Sequence, residues 1–185
     1  MSTISLEQAR VLKEKAMELY RRGEYPGAAA SLTEARALFQ AQGARREEAE
    51  ALNNLGVVHL LLEHWGEAAQ ALEQARVAFV ELEDLGGQGE ALGNLGVLYR
   101  RRGDAEGAVA TLKDAADLLQ RAGKWEAAMH TYRAAARIRL GQGRILEFLH
   151  FYDLSLACFD KPSWGNRLLR KLIQIPMGLL TRRAA

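Results

Sequence analysis

Apolar residues recur at intervals of three and four along most of this chain, the spacing that places side chains on one face of an α-helix. A glycine or an acidic residue interrupts the pattern at regular points, namely Gly23, Glu63, Gly103 and Gly143. The helical spacing resumes after each interruption with a second apolar set. The pattern therefore predicts an all-α protein built of helix pairs, each joined by a tight turn.

These helix pairs form an internal repeat. The segment EALNNLGV at residues 50–57 returns as EALGNLGV at residues 90–97, a shift of 40 residues. Weaker copies of the same apolar positions lie one shift further on either side. We therefore divide the chain into a repeat region, residues 1–160, and a tail, residues 161–185. The predicted repeats span about residues 9–48, 49–88, 89–128 and 129–160.

Small residues occur where the two helices of each predicted pair must approach each other. Such short side chains let two helix axes come close while neighbouring leucines fill the grooves. The residues are Ala16, Gly56, Gly96 and Ala136 on the first helices, and Ala28, Ala68 and Ala108 on the second. Gly43, Gly86 and Gly123 fall near the ends of the second helices, where a left-handed C-cap residue is expected.

The repeat resembles the tetratricopeptide repeat. The matching pattern is Leu-x2-Leu-Gly-x2-(Tyr/His) followed by Ala-x3-Leu-x2-Ala. It is carried by Leu92, Leu95, Gly96, Tyr99, Ala108, Leu112 and Ala115, and again by Leu52, Leu55, Gly56, His59, Ala68, Leu72 and Ala75. The common form has about 34 residues per repeat. The longer period of 40 residues is similar to that of adaptors of the kinesin light chain and G-protein-signalling modulator type. The resemblance covers about residues 8–160.

This resemblance implies a right-handed superhelical solenoid of about four helix-turn-helix repeats, whose first helices line a concave groove. In the family, that groove binds peptide segments of partner proteins. Transferred position by position, the resemblance assigns the groove to Tyr20, Arg21, Asn53, Asn54, Val57, Leu60, Leu61, Asn94, Val97, Arg100, Arg101, Arg133 and Arg137.

Two asparagines in this set suggest contact with a peptide backbone. Asn54 and Asn94 occupy the position at which kinesin-light-chain-like repeats use asparagine for that purpose. A carboxamide offers both a donor and an acceptor, so it can hold a main-chain peptide group whatever the side chain. The alternative is a structural asparagine that bridges adjacent repeats.

The other groove positions predict a basic half and an apolar strip. Arg100, Arg101, Arg133 and Arg137 favour carboxylates, and the alternative is a solvated charged face. In the second repeat, Val57 with Leu60 or Leu61 places apolar side chains on the groove side, although part of this run belongs to the core.

Charge is distributed unevenly between the two parts of the chain. Residues 1–160 hold 19 Lys and Arg against 23 Asp and Glu, whereas residues 161–185 hold six Lys and Arg and no acidic residue. This segregation indicates different roles for the repeat region and the tail. The acidic balance of the repeat region argues against nucleic acid as a partner.

No pattern in the sequence predicts catalytic or cofactor chemistry. The four histidines lack the spacing of a metal site, and the glycine runs at 86–89 and 141–143 are interpreted as turns and caps. The single cysteine, Cys158, is expected to be buried and excludes an intramolecular disulfide. We therefore expect a protein that is not an enzyme, without metal or cofactor. A regulatory enzyme accessory, such as a peptide-sensing phosphatase of similar repeat build, is disfavoured.

The tail predicts a basic amphipathic helix that ends or kinks near Ile175, ahead of Pro176. Three interpretations stay open: a cap on the end of the solenoid, a helix lying on a membrane surface, and a docking helix for a partner. The residues assigned to docking are Trp164, Arg167, Leu168, Leu169, Arg170, Lys171, Leu172 and Ile173.

The leading hypothesis is therefore a cytoplasmic adaptor that binds a segment of a partner protein, with an acidic segment favoured by the basic half of the groove. The alternative is a peripheral subunit of a membrane assembly, attached at the inner face of a membrane through its basic tail. Neither a signal peptide nor an apolar stretch of membrane-spanning length is expected in this sequence.

Overall fold

The computed structural model describes residues 3–159 and 164–181, and the side chains of residues 6–159 and 164–174. These residues form nine helices and no strand, which confirms the prediction of an all-α protein. The helices are α1 (Thr3–Arg21), α2 (Tyr25–Ala41), α3 (Arg45–Leu61), α4 (Trp65–Glu81), α5 (Leu85–Arg101), α6 (Ala105–Arg121), α7 (Trp125–Gly141), α8 (Ile145–Ala157) and α9 (Trp164–Thr181).

The first eight helices form four consecutive pairs in a solenoid. Each helix contacts the next one in the chain, and α3 also contacts α5 directly. The first helices of the pairs are thus α1, α3, α5 and α7, and the second helices are α2, α4, α6 and α8. The predicted repeat starts at 49, 89 and 129 lie four residues inside α3, α5 and α7.

The seven turns between these eight helices share one backbone feature. Each contains a residue with a φ in the left-handed region, which glycine adopts without steric cost. Five of these residues are glycines, and the other two are Glu63 and Glu83, with φ of 59° and 54°. The predicted turn positions at 23, 63, 103 and 143 are confirmed.

One predicted cap is wrong. Gly86 does not end a helix, because it is buried inside α5, and Glu83 takes the left-handed position. The glycine run 86–89 likewise forms the first turns of α5 rather than a turn or cap. Its glycines allow close packing: a Cβ at Gly89 would lie 2.7 Å from Leu119 Cγ on α6.

The predicted close approach within helix pairs is confirmed in the second and third pairs. A Cβ at Gly56 would lie 2.5 Å from Leu72 Cγ, and a Cβ at Gly96 would lie 2.7 Å from Leu112 Cγ. Real Cβ atoms do not tolerate such distances, so each leucine occupies the space that the glycine leaves. The alanines at the equivalent positions 16 and 136 are fully or almost fully buried.

An ion-pair network joins three helices near the turn between α7 and α8. The side chain of Arg139 is 8% exposed, and its Nη1 donates to Glu106 Oε1 at 2.5 Å. Its Nε lies 2.8 Å from Glu147 Oε2, and Arg144 Nη1 lies 2.9 Å from Glu106 Oε1. The hydrogen bond from Arg139 is the main reason that the pKa of Glu106 falls from 4.5 to about 2.

This network predicts a specific loss of stability in acid. Because the pKa of Glu106 is lower in the folded protein, its contribution is complete above about pH 4.5 and is lost as the pH falls towards 2. We expect Glu106→Gln to reduce the dependence of the unfolding free energy on pH in that window. The measurement is urea denaturation, followed by circular dichroism, at a series of pH values.

A matched control is Glu126→Gln, since the Glu126 side chain is 89% exposed at the start of α7. This variant should keep the wild-type pH dependence. An unchanged slope in Glu106→Gln would contradict the role assigned to the network.

Candidate functional site

The predicted groove residues lie on one series of helices. They occupy α1, α3, α5 and α7, and we call the surface that they form the first-helix face. Arg21, Arg100, Arg101 and Arg137 are exposed there. The half-buried members are Tyr20, Asn53, Asn54, Val57, Leu61, Asn94, Val97 and Arg133.

One predicted groove residue, Leu60, is buried in the core and is not available on the first-helix face. Its side chain is 4% exposed and packs in a core cluster with Leu72 on α4 and with Leu95 and Leu98 on α5. Burying a leucine between two repeats removes its apolar surface from water. Leu61, its neighbour, is only half-buried, so it is the leucine of this pair that remains available on the surface.

Polar contacts link neighbouring repeats along the first-helix face. Lys13 on α1 pairs with Glu50 on α3, and Asn94 Nδ2 on α5 donates to Asn53 Oδ1 on α3 at 3.0 Å. The bridging role that the sequence left open is therefore present for Asn94. These contacts hold α1, α3 and α5 in register, and a peptide-binding role for Asn54 and Asn94 stays a prediction.

The C-terminal half of the face carries cations without acidic partners. Within residues 6–159 and 164–174, Arg100, Arg101 and Arg137 form no ion pair. Arg133 differs, because its guanidinium lies over the ring of Tyr152, 5.8 Å from the centroid. The Nε of Arg133 is buried and has no hydrogen-bond partner. None of these four arginines is paired with a carboxylate in the described part of the chain.

Three adjoining cavities in the described part of the chain form a groove along this half. A cavity of about 340 Å³ extends from Asn53 and Asn94 to Val97. It shares Val97 with a cavity of about 410 Å³, which continues past Arg100 to Arg137. Arg137 is in turn shared with a cavity of about 320 Å³ that ends at Phe148 and Tyr152 on α8.

The structure thus brings together only part of the predicted set. Six predicted residues line these cavities: Asn53, Asn94, Val97, Arg100, Arg133 and Arg137. Tyr20 and Arg21 lie apart from them, and Arg21 pairs with Glu18 at 2.7 Å. Asn54, Val57, Leu61 and Arg101 do not line these cavities either.

Two aromatic residues of the groove were missed by sequence reasoning. Phe148 and Tyr152 occupy the repeat positions of Ala108 and Leu112, where an apolar residue packed between helices is expected. Their rings lie 5.7 Å apart between centroids and line the end of the groove. The available signal was their size, since aromatic side chains at positions of smaller residues leave the ordinary packing pattern.

The groups that could carry chemistry are few in the residues that the structure describes. No cluster of three or more His, Cys, Asp or Glu residues could hold a metal ion there. Burial lowers the pKa of His59, whose ring lies 5.6 Å from that of His64 between centroids. Cys158 is buried as predicted, and burial raises the pKa of its thiol.

Helix α9 presents most of the predicted docking residues but not all of them. Trp164, Arg167, Leu168, Leu169, Lys171 and Leu172 are exposed. Ile173 is 5% exposed, and Arg170 Nε pairs with Asp153 Oδ1 on α8 at 2.9 Å, so these two residues face the solenoid. Of the two outcomes predicted near Ile175, an end of the helix is wrong, because α9 extends through Pro176 to Thr181, and a kink stays a prediction. None of the helices in the described ranges combines the length with the apolar composition of a membrane-spanning segment.

Comparison with known families identifies one repeat in this chain. Residues 89–122, which include α6 and most of α5, match the model of a tetratricopeptide repeat family. The resemblance read from the sequence is thereby supported in the third repeat. No curated protein matches the chain.

Solved structures share the fold across most of the chain. BtubC from P. vanneervenii has 18% identity and a TM-score of 0.71, over 81% of this chain and 62% of that one. Aspartyl phosphate phosphatase F from Bacillus subtilis has 14% identity and a TM-score of 0.78, over 83% of this chain and 40% of that one. This chain therefore spans less than two thirds of either protein.

A third structure matches from end to end. It is a kinesin-light-chain-like protein of Podospora anserina with nearly identical TPR-like repeats, with 13% identity and a TM-score of 0.64. The match covers 98% of this chain and 99% of that one. At these identities the similarity establishes the fold, an all-α solenoid of tetratricopeptide-like repeats.

Proposed function

We propose that this protein is a non-enzymatic adaptor that binds an extended, acidic segment of a partner protein along the C-terminal half of its first-helix face. A tetratricopeptide-like fold supports a role in protein–protein interaction in general. The observation that carries the specific proposal is that Arg100 and Arg137, which form no ion pair in the described part of the chain, share one cavity with an apolar lining.

The charge of this region supports an acidic ligand. On the same face, Lys13 is paired with Glu50, and Glu90, which lines the first cavity of the groove, is paired with Lys124 just before α7. The guanidinium groups of Arg100 and Arg137 have no such partner within the described residues. A carboxylate of a bound segment can accept hydrogen bonds from either guanidinium, and such charge-assisted bonds are about twice as strong as neutral ones.

The lining between the two arginines supports an apolar residue next to the acidic one. Val97, Leu112 and Ile138 line the same cavity. An apolar side chain that covers them lowers the free energy of binding by about 25 cal/mol for each Å² of apolar surface withdrawn from water. At the other end of the groove, the linked amides of Asn53 and Asn94 offer polar atoms to a main chain.

Selection of peptide ligands on the full-length protein tests the proposal. A display library of random linear peptides supplies the candidates, and the binding of the selected peptides is measured by fluorescence anisotropy. We expect peptides rich in Asp and Glu beside apolar residues. Arg100→Glu combined with Arg137→Glu should weaken their binding roughly 100-fold or more, since two hydrogen bonds to charged groups contribute about 1.5–3 kcal/mol each.

The matched control reverses two arginines on second helices. Arg36→Glu combined with Arg121→Glu makes the same change in net charge on α2 and α6. This control should bind the peptides with little change. Equal losses of peptide binding in both double variants would show that net charge, and not the groove, causes the effect. Unchanged binding in the groove variant would show that the binding site lies elsewhere.

A further inference from the structure

Helix α9 exposes a continuous apolar stripe. Trp164, Leu168 and Leu172 are spaced four residues apart and therefore lie on one side of the helix. Their side chains are 73%, 42% and 55% exposed, and Leu169 beside them is 37% exposed. Large apolar side chains that are contiguous and exposed commonly mark a surface for a partner or a membrane. We therefore expect this stripe to be covered by a partner or by a membrane.

The opposite side of α9 is held against α8. Ile173 is buried, and Arg170 Nε donates to Asp153 Oδ1 at 2.9 Å. Gln174 Nε2 donates to the same carboxylate, at 3.3 Å from Asp153 Oδ2. The contacts that a cap would make with the solenoid are thus present on one side of the helix only. Because these contacts use one side of α9, the stripe remains turned away from the solenoid.

The charges next to the stripe identify the kind of surface that would cover it. Arg167 and Lys171 are exposed and, within the described residues, form no ion pair. No acidic residue occurs anywhere in residues 161–185. We propose that α9 binds the surface of an anionic lipid bilayer, with Trp164, Leu168 and Leu172 inserted between the headgroups while Ile173 and Arg170 stay docked on α8.

A bilayer fits this helix better than a second copy of the chain. Two copies that met through this stripe would bring Arg167 and Lys171 of each close to the same cations of the other, without an acidic residue from either α9. An anionic leaflet instead attracts each of these cations, and its interfacial region accommodates tryptophan and leucine. This inference uses none of the groove residues, so it can fail or succeed independently of the peptide-binding proposal.

Vesicle binding of the full-length protein tests the inference. Large unilamellar vesicles of phosphatidylcholine alone, and of phosphatidylcholine with phosphatidylserine, are sedimented with the protein at low and high salt. We expect binding only to the vesicles with phosphatidylserine, and a decrease at high salt. Tryptophan emission should shift to shorter wavelength on binding, and Trp164→Phe should remove most of that shift.

Two double variants separate charge from apolar insertion. Arg167→Gln with Lys171→Gln should weaken vesicle binding about 25-fold, because each cation near an anionic leaflet contributes about fivefold. Leu168→Gln with Leu172→Gln should weaken it by a similar factor, about fivefold for each half-exposed leucine. Since all four side chains are exposed, the melting temperature should not change. Arg170 is left intact because it holds α9 on α8.

The controls make the same changes on other helices. Arg101→Gln with Arg121→Gln removes two cations from α5 and α6, and Val77→Gln with Val80→Gln removes two exposed apolar side chains from α4. Neither control should alter vesicle binding. Absence of binding at low salt, or equal effects of the α9 variants and their controls, would overturn the inference. A dimer in vesicle-free solution that Leu168→Gln with Leu172→Gln dissociates would assign the stripe to a second copy instead.

Discussion

Replacing Gly96 with leucine is expected to lower the melting temperature of the protein by several degrees. A Cβ at this position would lie 2.7 Å from Leu112 Cγ and 3.4 Å from the carbonyl oxygen of Ala108. Both atoms belong to α6, so α5 and α6 must move apart to admit a larger side chain. Overpacking of this kind costs about 1–3 kcal/mol, and each kcal/mol shifts the melting temperature of a chain of this size by about 2–4 °C.

The same helix offers a control for this prediction. A Cβ at Gly93 meets no atom within 4 Å, and Gly93 lies one turn before Gly96 on α5. Gly93→Leu should be neutral or stabilising, because glycine in a helix interior is less favourable than leucine by roughly 0.8 kcal/mol. Equal melting temperatures for the two variants would contradict the close approach.

A double substitution tests whether Leu112 is the residue that limits the space. Leu112→Ala alone should destabilise the protein by leaving a cavity, at a cost of about 2–5 kcal/mol. In Gly96→Leu combined with Leu112→Ala, the new leucine can occupy that cavity. The combined loss should therefore be smaller than the sum of the single losses, as residues in direct contact are coupled. Additive losses would show that Leu112 is not the main obstacle.

Replacing Tyr132 with alanine is expected to have the largest effect on stability. Tyr132 on α7 is 2% exposed and heads the large, fully buried side chains among the described residues. Its core cluster includes Leu112 and Leu119 on α6 and Phe151 on α8. Removing a buried aromatic side chain costs about 3–5 kcal/mol. Thermal and urea denaturation, followed by circular dichroism, measure the loss.

The conservative variant Tyr132→Phe separates the ring from its hydroxyl group. The hydroxyl donates a hydrogen bond to Asp117 Oδ1 on α6. Burial and the nearby Asp117 carboxylate raise the pKa of Tyr132, so the hydroxyl stays protonated as a donor. Loss of a hydrogen bond to a charged group costs about 1.5–3 kcal/mol. Tyr132→Phe should therefore be less damaging than Tyr132→Ala.

The loss in Tyr132→Ala should also be local. In a solenoid each repeat contacts only its neighbours, so a defect weakens the adjoining helices most. Amide hydrogen exchange should accelerate in α7 and α8 more than in α1 and α2. Uniform acceleration across all helices would indicate that the chain unfolds as a single cooperative unit.

Local pattern was sufficient to predict the helix pairs and their turns. Helical spacing and turn residues are properties of short segments, and the turns at Gly23, Gly103 and Gly143 lie where the sequence predicted them. The same reasoning was wrong at Gly86, because a glycine can serve either a turn or a close packing contact. The residue equivalent to Gly43 and Gly123 at the 40-residue period is Glu83, which takes the left-handed conformation, whereas Gly86 lies inside α5.

The candidate groove was predictable only in part, because repeat register does not determine burial. Leu60 and Arg100 occupy the same register position, one period apart, yet Leu60 is buried in the core and Arg100 is exposed on the first-helix face. At this position, an apolar side chain packs into the core, whereas a charged side chain stays exposed to solvent. Phe148 and Tyr152 line the groove because α8 packs against α7 and their aromatic side chains reach the surface. Repeat register does not predict this contact.

The tail shows most directly what the sequence alone determined and what the tertiary structure decided. The spacing of leucines and the absence of acidic residues predict a basic amphipathic helix, because both are local properties. Which side of that helix is covered depends on α8, whose Asp153 pairs with Arg170, and Ile173 is buried on the same side of α9. Leu172 and Ile173 are adjacent and similarly apolar, but one is exposed and the other buried. The exposure of these two residues differs because of contacts between separate helices, and a local sequence pattern does not specify such contacts.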